Sequence, residues 1–402
     1  MQRRAFLAAM ASLTARAAEL PAIGAIRTHK HTLNKRDYLF VEVEAGRLTG
    51  LGEASLPFRV EIVEQAVLWL EPHLRGRPVS GIEDHWNRIY RDLSRWRDGS
   101  VLMTALSAID IALWDIEGKR LGEPVWRLAG GGGATARPLR VYYSHWDHGL
   151  QARTERGWAE WTGQSLERGW NAVKWVVPRA ASEAERIERT VADLAAVRKA
   201  ASASRLQVGL EMFETFTVRS AIDFARAVEP YGVWFLEEPV ERENPRMLGE
   251  VARATPIHLA GGEGLLDRFQ FKALLDAGGA RIVQPDVMHC GGITELRKIA
   301  ALSEVYGAEV APHMWYGPVA HAASAQAMVG CRNFLAQEWD GASESLWAEV
   351  TKGTLPKQAK GHVEVPSGPG LGLEMDFELL RRKYPYAGRR ETPKITPKPG
   401  QG

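Results

Sequence analysis

Three glutamates stand at equal intervals through the middle of this chain, Glu211, Glu237 and Glu263, separated by 237 − 211 = 26 and 263 − 237 = 26 residues. Each closes a short apolar run: Leu206–Leu210 before the first, Val233–Leu236 before the second, Ile257-His-Leu-Ala-Gly-Gly before the third. One strand, a loop, a helix and another loop fill such an interval, so the spacing predicts a β/α repeat. In a closed parallel barrel, the C-terminal ends of successive strands converge on one mouth. Three carboxylates meeting there repel one another unless a cation holds them. Hard oxygen donors with no nearby Cys or paired His favour Mg²⁺ over zinc, one ion per chain.

Two further residues fall at predicted strand ends. Asp286 follows Ile282-Val-Gln-Pro and His313 follows Val310-Ala-Pro, 313 − 286 = 27 residues apart, which places them on adjacent strands. A carboxylate bonded to one imidazole nitrogen fixes the tautomer and raises the basicity of the other. A lone histidine is ordinarily a core residue bonded to backbone; coming after three acidic strand ends, His313 reads instead as a base. Glu338, in Ala336-Gln-Glu-Trp on the last predicted strand, is placed to hydrogen-bond to a substrate or to stabilise a developing oxyanion. Lys174 lies mid-strand between Val173 and Trp175, where a solvated lysine is unexpected. There it would bind a substrate carboxylate or, with a lowered pKa, remove a proton. Such a set suits proton abstraction from a carbon next to a carboxylate, with a divalent cation stabilising the enediolate charge.

The elements that must position these residues follow from periodicity. Strands are predicted over Leu139–Tyr143, Ala172–Val177, Leu206–Leu210, Val233–Leu236, Ile257–Ala260, Arg281–Val283, Glu309–Ala311 and Phe334–Leu335, with helices between them such as Ala184–Ala200, Thr217–Glu229 and Ile293–Tyr306. Eight strands in that order point to a parallel barrel, and no G-x-G-x-x-G competes for the assignment. Upstream, Ile23–Val43 reads as a hairpin, the Gly50-Leu-Gly-Glu segment as turn punctuation, and Val60–Leu74, Ile82–Leu93 and Val101–Leu121 as helices. The last is apolar nearly all round and should be buried. Gly130-Gly-Gly-Gly marks a boundary, and after Ser343 the β/α pattern fails. Domains are therefore expected at 19–138 (cap), 139–342 (barrel) and 343–388 (a segment closing on the cap), with a disordered tail over 389–402.

A net charge of +2 gives no reason to expect nucleic acid as a partner, and no stretch approaches a membrane span. Cys290 and Cys331 exclude a disulfide scaffold; free buried thiols are the plainer reading over a single bridge. Arg3-Arg4 before Phe6-Leu7 and the short apolar run to Leu13, with Ala15-Arg16-Ala17 beyond, has the layout of a twin-arginine export signal over residues 1–18. That implies a periplasmic or exported protein; an amphipathic tail on a cytoplasmic protein is the alternative.

At Ser107-Ala-Ile-Asp-Ile-Ala-Leu-Trp-Asp-Ile-Glu-Gly-Lys, Trp234-Phe-Leu-Glu-Glu-Pro, Gln284-Pro-Asp-Val-Met-His-Cys-Gly-Gly-Ile-Thr-Glu and Pro312-His313 the chain resembles the enolase superfamily, in its mandelate racemase-like branch. Ala311-Pro-His and Gly317-Pro-Val-Ala look most like the D-galactonate and D-mannonate dehydratase group. The resemblance implies a modified (β/α)₇β TIM-type barrel, with an α+β capping domain built from the N-terminal part and the C-terminal segment. It implies Mg²⁺ on Glu211, Glu237 and Glu263, a catalytic Asp286–His313 dyad and the eighth-strand Glu338. It also implies a small-molecule carboxylate substrate, dehydration of an aldonate or aldarate to a 2-keto-3-deoxy acid, and a homo-oligomer. Racemisation with His313 and Lys174 on opposite faces, and an exported binding protein without turnover, are the other readings. Four positions depart from the family pattern: Glu211 replaces Asp, Phe213 replaces a proton-donating His, Val176 replaces the second Lys of a Lys-x-Lys pair, and Gly264 replaces an Arg. Trp146, His148, Trp315 and Tyr316 are candidate pocket residues, and His145 and His289 are candidate site histidines.

Overall fold

A computed structural model describes residues 20–388 apart from Ser94, Trp96, Ala134, Ala342, Thr354, Pro356 and Lys357. The candidate export signal and the tail over 389–402 lie outside the described residues. The chain opens with an antiparallel sheet, β1 (Ile23–Leu33), β2 (Arg36–Ala45) and β3 (Leu48–Glu53), paired in that order. Helices α1 (Val60–Leu74), α2 (Ile82–Leu93) and α3 (Ser100–Leu121) share a core with it.

The segment expected to be a turn at Gly50–Glu53 is instead strand β3. Its glycines serve close packing: a Cβ on Gly50 would sit 2.0 Å from the Ala112 carbonyl oxygen, and one on Gly52 would sit 2.1 Å from that of Ala108. Helix α3 therefore lies directly on the strand backbone, and α1 and α2 pack on it as well, so most of its residues are buried.

After α4 (Val125–Leu128) the chain alternates strand and helix: β4 (Leu139–Tyr143), α5 (Glu155–Glu167), β5 (Ala172–Val176), α6 (Glu183–Ala200), β6 (Gln207–Glu211), α7 (Val218–Val228), β7 (Phe235–Glu237), α8 (Pro245–Arg253), β8 (His258–Gly261), α9 (Arg268–Asp276), β9 (Ile282–Val283), α10 (Gly292–Val305), β10 (Glu309–Val310), α11 (Pro318–Met328) and β11 (Gln337–Trp339). Ser182, Thr217, Asn244 and Asp267 cap α6 to α9 with side-chain oxygens that accept from first-turn N–H groups. Neighbouring strands from β4 to β10 are parallel, and β11 pairs in parallel with β4. The expected last strand at Phe334–Leu335 contributes only a bridge from Phe334 to Val310; pairing with β4 begins three residues later. This is a (βα)₇β barrel. Its interior alternates large and small side chains, Tyr142, Phe235 and Ile282 against Ala172, Ala260, Ala311 and Ala336. Gly209 leaves room for the Phe235 ring, 2.4 Å from where a Cβ would be.

Beyond the barrel, where no pattern was legible, lie α12 (Glu344–Val350), β12 (Thr351–Gly353), β13 (Gln358–Ala359), β14 (His362–Val363), β15 (Leu373–Met375) and α13 (Phe377–Lys383). These strands are two or three residues long, too short to show alternation. β14 pairs antiparallel with β4, the Leu371 N–H donates to Asp115 of α3, and Phe377 stacks on His29 of β1 with ring centroids 3.9 Å apart. The last segment thus touches both barrel and cap. Among the described residues no helix is long and apolar enough to cross a membrane, and Cys290 and Cys331 are free thiols.

Candidate active site

Glu211 and Glu237 are the last residues of β6 and β7 and lie opposite each other in register. Glu237 pairs with Ala260, so Glu263 reaches the mouth from three residues further on, past Gly262 at φ +114°. One carboxylate oxygen from each of the three lies within 4.8 Å of the others. Equal spacing in sequence therefore becomes convergence through unequal register, two strand ends and one loop.

Lys174 on β5 points into this group. Its Nζ bonds to Glu237 Oε1 and lies 3.0 Å from Glu338 Oε1 and 3.4 Å from Glu211 Oε2. Burial opposes its charge, yet Glu237, Glu338 and Glu211 outweigh that and push its pKa up. The lowered pKa expected of a lysine base is not what this environment produces. Burial and the neighbouring Glu237 push Glu211 well above the ordinary carboxylate range. Glu338 is the opposite case: burial works against its charge, but Lys174, His313, the Ser144 hydroxyl and the Met314 N–H draw its pKa down to about 2.

Asp286 and His313 each stand three residues past Val283 and Val310, which pair with each other, so the two side chains arrive at the same level. His313 Nδ1 lies 2.6 Å from Asp286 Oδ2. With Nδ1–H donating to Asp286, Nε2 faces the mouth, 3.4 Å from Glu263 Oε2 and 4.0 Å from Glu338 Oε2. Burial disfavours the imidazolium, but Glu263, Glu338 and Asp286 hold its pKa up at about 10. The basicity of this imidazole is set by the carboxylates around it.

The donor set fits a hard divalent cation. It is all oxygen, and four buried or half-buried carboxylates, Glu211, Glu237, Glu263 and Glu338, face one ammonium and one imidazole. Among the described residues this is the one group of three metal-competent side chains.

The departures from the family pattern have visible consequences. Phe213 is 45% exposed at φ +48°, and its N–H donates to Glu211 Oε1 at 2.8 Å. Its side chain offers no proton. Gly264 is filled from elsewhere: a Cβ there would lie 2.7 Å from the Arg242 guanidinium, which pairs with Glu214 at 2.8 Å. Trp146 does not line the mouth but is fully buried against Trp158, Trp161 and Trp175. His289 bridges Thr104 of α3 and the Tyr316 hydroxyl, each at 2.7 Å, and so ties cap to barrel. His145, His148 and Trp315 border a cavity beside the mouth.

Sequence reasoning missed Gln284, whose amide donates to Glu237 Oε2 at 2.5 Å, and Ser144, whose hydroxyl donates to Glu338. Glu53 was also missed as an anchor; it accepts from the Gly317 and Ala320 N–H groups at the start of α11. Gln284 sits two residues before Asp286 and Ser144 directly follows β4, so position at a strand end was the available signal.

A (βα)₇β barrel roofed by an α+β cap, with acidic strand ends at its mouth, is the architecture of the enolase superfamily. The chain belongs to its mandelate racemase / muconate lactonizing enzyme family: residues 11–130 match that family's N-terminal domain, and residues 158–379 match the enolase C-terminal domain-like model. It is 35% identical over 370 residues to a D-galactonate dehydratase of Variovorax paradoxus, covering 88% of this chain and 92% of that one. A D-galactonate dehydratase of Xanthomonas euvesicatoria is 34% identical, covering 86% and 90%. Among solved structures, a mandelate racemase/muconate lactonizing enzyme from Jannaschia superposes with a TM-score of 0.84 at 28% identity, covering 92% of this chain and 99% of that one. The 3,6-anhydro-D-galactonate cycloisomerase of Zobellia galactanivorans superposes with a TM-score of 0.79 at 29% identity, covering 90% and 99%.

Proposed function

We propose that this chain is a Mg²⁺-dependent dehydratase of an acid sugar, yielding a 2-keto-3-deoxy acid. The observation that carries the reading is the Asp286–His313 pair, whose Nε2 faces the acidic cluster at 3.4 Å from Glu263. The relatives named D-galactonate dehydratase support an acid-sugar substrate.

Glu211, Glu237 and Glu263 would hold the cation. When bound, it supplies positive charge to the substrate carboxylate as the neighbouring carbon loses its proton. With Glu263 engaged by the cation, the largest carboxylate influence that keeps His313 protonated is offset; neutral His313 Nε2 then takes that proton, and Asp286 keeps the ring oriented and stabilises the imidazolium. Lys174, anchored by three carboxylates, contributes fixed positive charge rather than a base. Glu338, held ionised by Lys174 and by the Ser144 hydroxyl and Met314 N–H, orders that face of the site. Because Phe213 carries no proton, His313 returns the proton it took to the β-hydroxyl, which leaves as water from the same face. The enol product then tautomerises to the 2-keto acid. Racemisation finds less support, since Lys174 is tied up in ion pairs.

The test is a screen of hexonates, pentonates and aldarates with Mg²⁺, reading 2-keto-3-deoxy products as semicarbazones. His313→Asn should lower kcat by about 10²–10⁴-fold. Turnover surviving in His313→Asn would remove the assigned base. Solvent deuterium entering recovered substrate with no keto acid formed would replace dehydration by racemisation.

A further inference from the structure

A cavity of about 240 Å³ lies beside the mouth, where the β1–β2 turn of the cap meets the first and last barrel strands. The cap lends Arg36 and Tyr38; the barrel lends Ser144 and His145 after β4, Trp315 after β10 and Asp340 after β11. Ser144 joins this cavity to the acidic cluster, because its hydroxyl donates to Glu338 Oε1.

That bond fixes the state of the next residue. A serine hydroxyl has one proton, and here it is given to Glu338. Ser144 Oγ can then only accept from His145 Nδ1, 3.0 Å away. So His145 carries its proton on Nδ1, and Nε2 is an acceptor without a protein partner among the described residues. Burial and Lys174 hold the His145 pKa down to about 3, so the ring stays neutral. The ring stacks on Trp315 with centroids 4.8 Å apart, and the backbone sits at φ +49°. A non-glycine residue in that left-handed region is uncommon and often marks a functional position.

The charges in the cavity are already matched. Among the described residues that line it, the permanently charged side chains are Arg36 and Asp340, paired at 3.1 Å. The Arg36 guanidinium also lies over the Trp315 ring at 3.9 Å, and Ser343 donates to Asp340 at 2.7 Å. An entering carboxylate would meet a guanidinium already neutralised and the negative charge of Asp340 beside it. An uncharged hydroxyl would meet two acceptors, His145 Nε2 and Asp340.

We infer that this cavity receives the tail of the acid sugar, that it selects an uncharged polyol tail over a terminal carboxylate, and that His145 Nε2 accepts a hydrogen bond from one tail hydroxyl. The inference rests on the acid-sugar reading above and decides between the aldonate and the aldarate class.

The test uses the full chain with Mg²⁺, calorimetry for binding and steady-state rates for turnover. The hexonate bound most tightly is compared with its hexarate and with its 4-, 5- and 6-deoxy analogues. The hexonate should exceed the hexarate by at least about tenfold, and one deoxy position should cost about tenfold, mostly in KM. His145→Asn keeps an N–H donor toward Ser144 and tolerates the left-handed backbone, but removes the Nε2 acceptor. In that variant the intact hexonate should fall to the level of the deoxy compound, and the deoxy compound should fall no further. Asp340→Asn, which leaves Arg36 unneutralised, should raise the hexarate relative to the hexonate. Equal binding of hexonate and hexarate, or a deoxy penalty undiminished in His145→Asn, would overturn the assignment. If His145→Asn does not fold, the wild-type deoxy series and Asp340→Asn decide it. Tail-dependent binding without turnover would sustain this subsite while removing the dehydratase reading. No binding of any hexonate would remove both.

Discussion

With every carboxylate ionised, Glu211, Glu237, Glu263, Asp286 and Glu338 carry five negative charges against Lys174 and a protonated His313, an excess of three. Buried charge of one sign is costly, and a divalent cation offsets most of that excess. Free Mg²⁺ at a hundred times its dissociation constant should therefore stabilise the fold by about 2.7 kcal/mol, seen as a rise in Tm. Glu263→Gln keeps the side-chain shape and leaves the Lys174 ion pairs intact, and it should abolish most of that rise. A variant that responds to Mg²⁺ as the wild type does would take Glu263 out of the ligand set. These residues were legible because each follows an apolar run that ends at a polar residue. Their partners were not. Gln284 reaches Glu237 across 47 residues and Ser144 reaches Glu338 across 194, and a single sequence carries no trace of such pairs. For the same reason the sequence left Lys174 open between a cation that binds a substrate carboxylate and, with a lowered pKa, a base; the three carboxylates that hold its ammonium charged show only in the structure.

At the scale of elements, the barrel was readable because its β/α units carry their own punctuation, an apolar run and, for α6 to α9, a side-chain cap at the start of the helix. The cap hid one strand. In Gly50-Leu-Gly-Glu the glycines signal a turn by composition, but in β3 they remove side chains that would collide with α3. Close backbone approach and chain reversal both favour glycine, and sequence cannot tell them apart. The distinction is testable. A turn glycine at ordinary φ would tolerate alanine, whereas Gly52→Ala drives a methyl group to 2.1 Å from the Ala108 carbonyl oxygen. We expect a loss of about 1–3 kcal/mol or more in urea unfolding, with α3 displaced from the sheet. An unchanged midpoint would mean that the helix does not sit on that strand. Gly264 is a related case at the mouth, a glycine whose space is taken by the Arg242 guanidinium.

For the whole molecule, cap and barrel are joined by buried polar contacts, and these make stability depend on pH. Glu53 of β3 accepts from N–H groups at the start of α11, and one residue past Ala320 the same helix carries His321, buried between Trp339 and Trp347. Among the described residues neither ring nitrogen of His321 has a protein partner, so the folded protein holds it neutral, and burial lowers its pKa to about 3 from 6.5. Glu338, Asp286, His313 and Arg36 act on it from the surrounding elements without reversing that direction. As pH falls below 6.5 the unfolded chain binds a proton that the folded chain refuses, so unfolding gains ground. The stability is complete above about 6.5 and is lost progressively as pH falls toward about 3, by up to about 1.4 kcal/mol per pH unit. Glu53 and Asp110, which burial raises to about 7, titrate in the opposite sense and mask this in the whole-chain profile. His321→Phe removes the titrating group while filling the same space. Measured without Mg²⁺ at pH 7, 6 and 5, the unfolding free energy of the variant should gain on the wild type at each step down. Parallel profiles would show that the protein accommodates a charged His321, and the packing of α11 against β11 would then be looser than these contacts require.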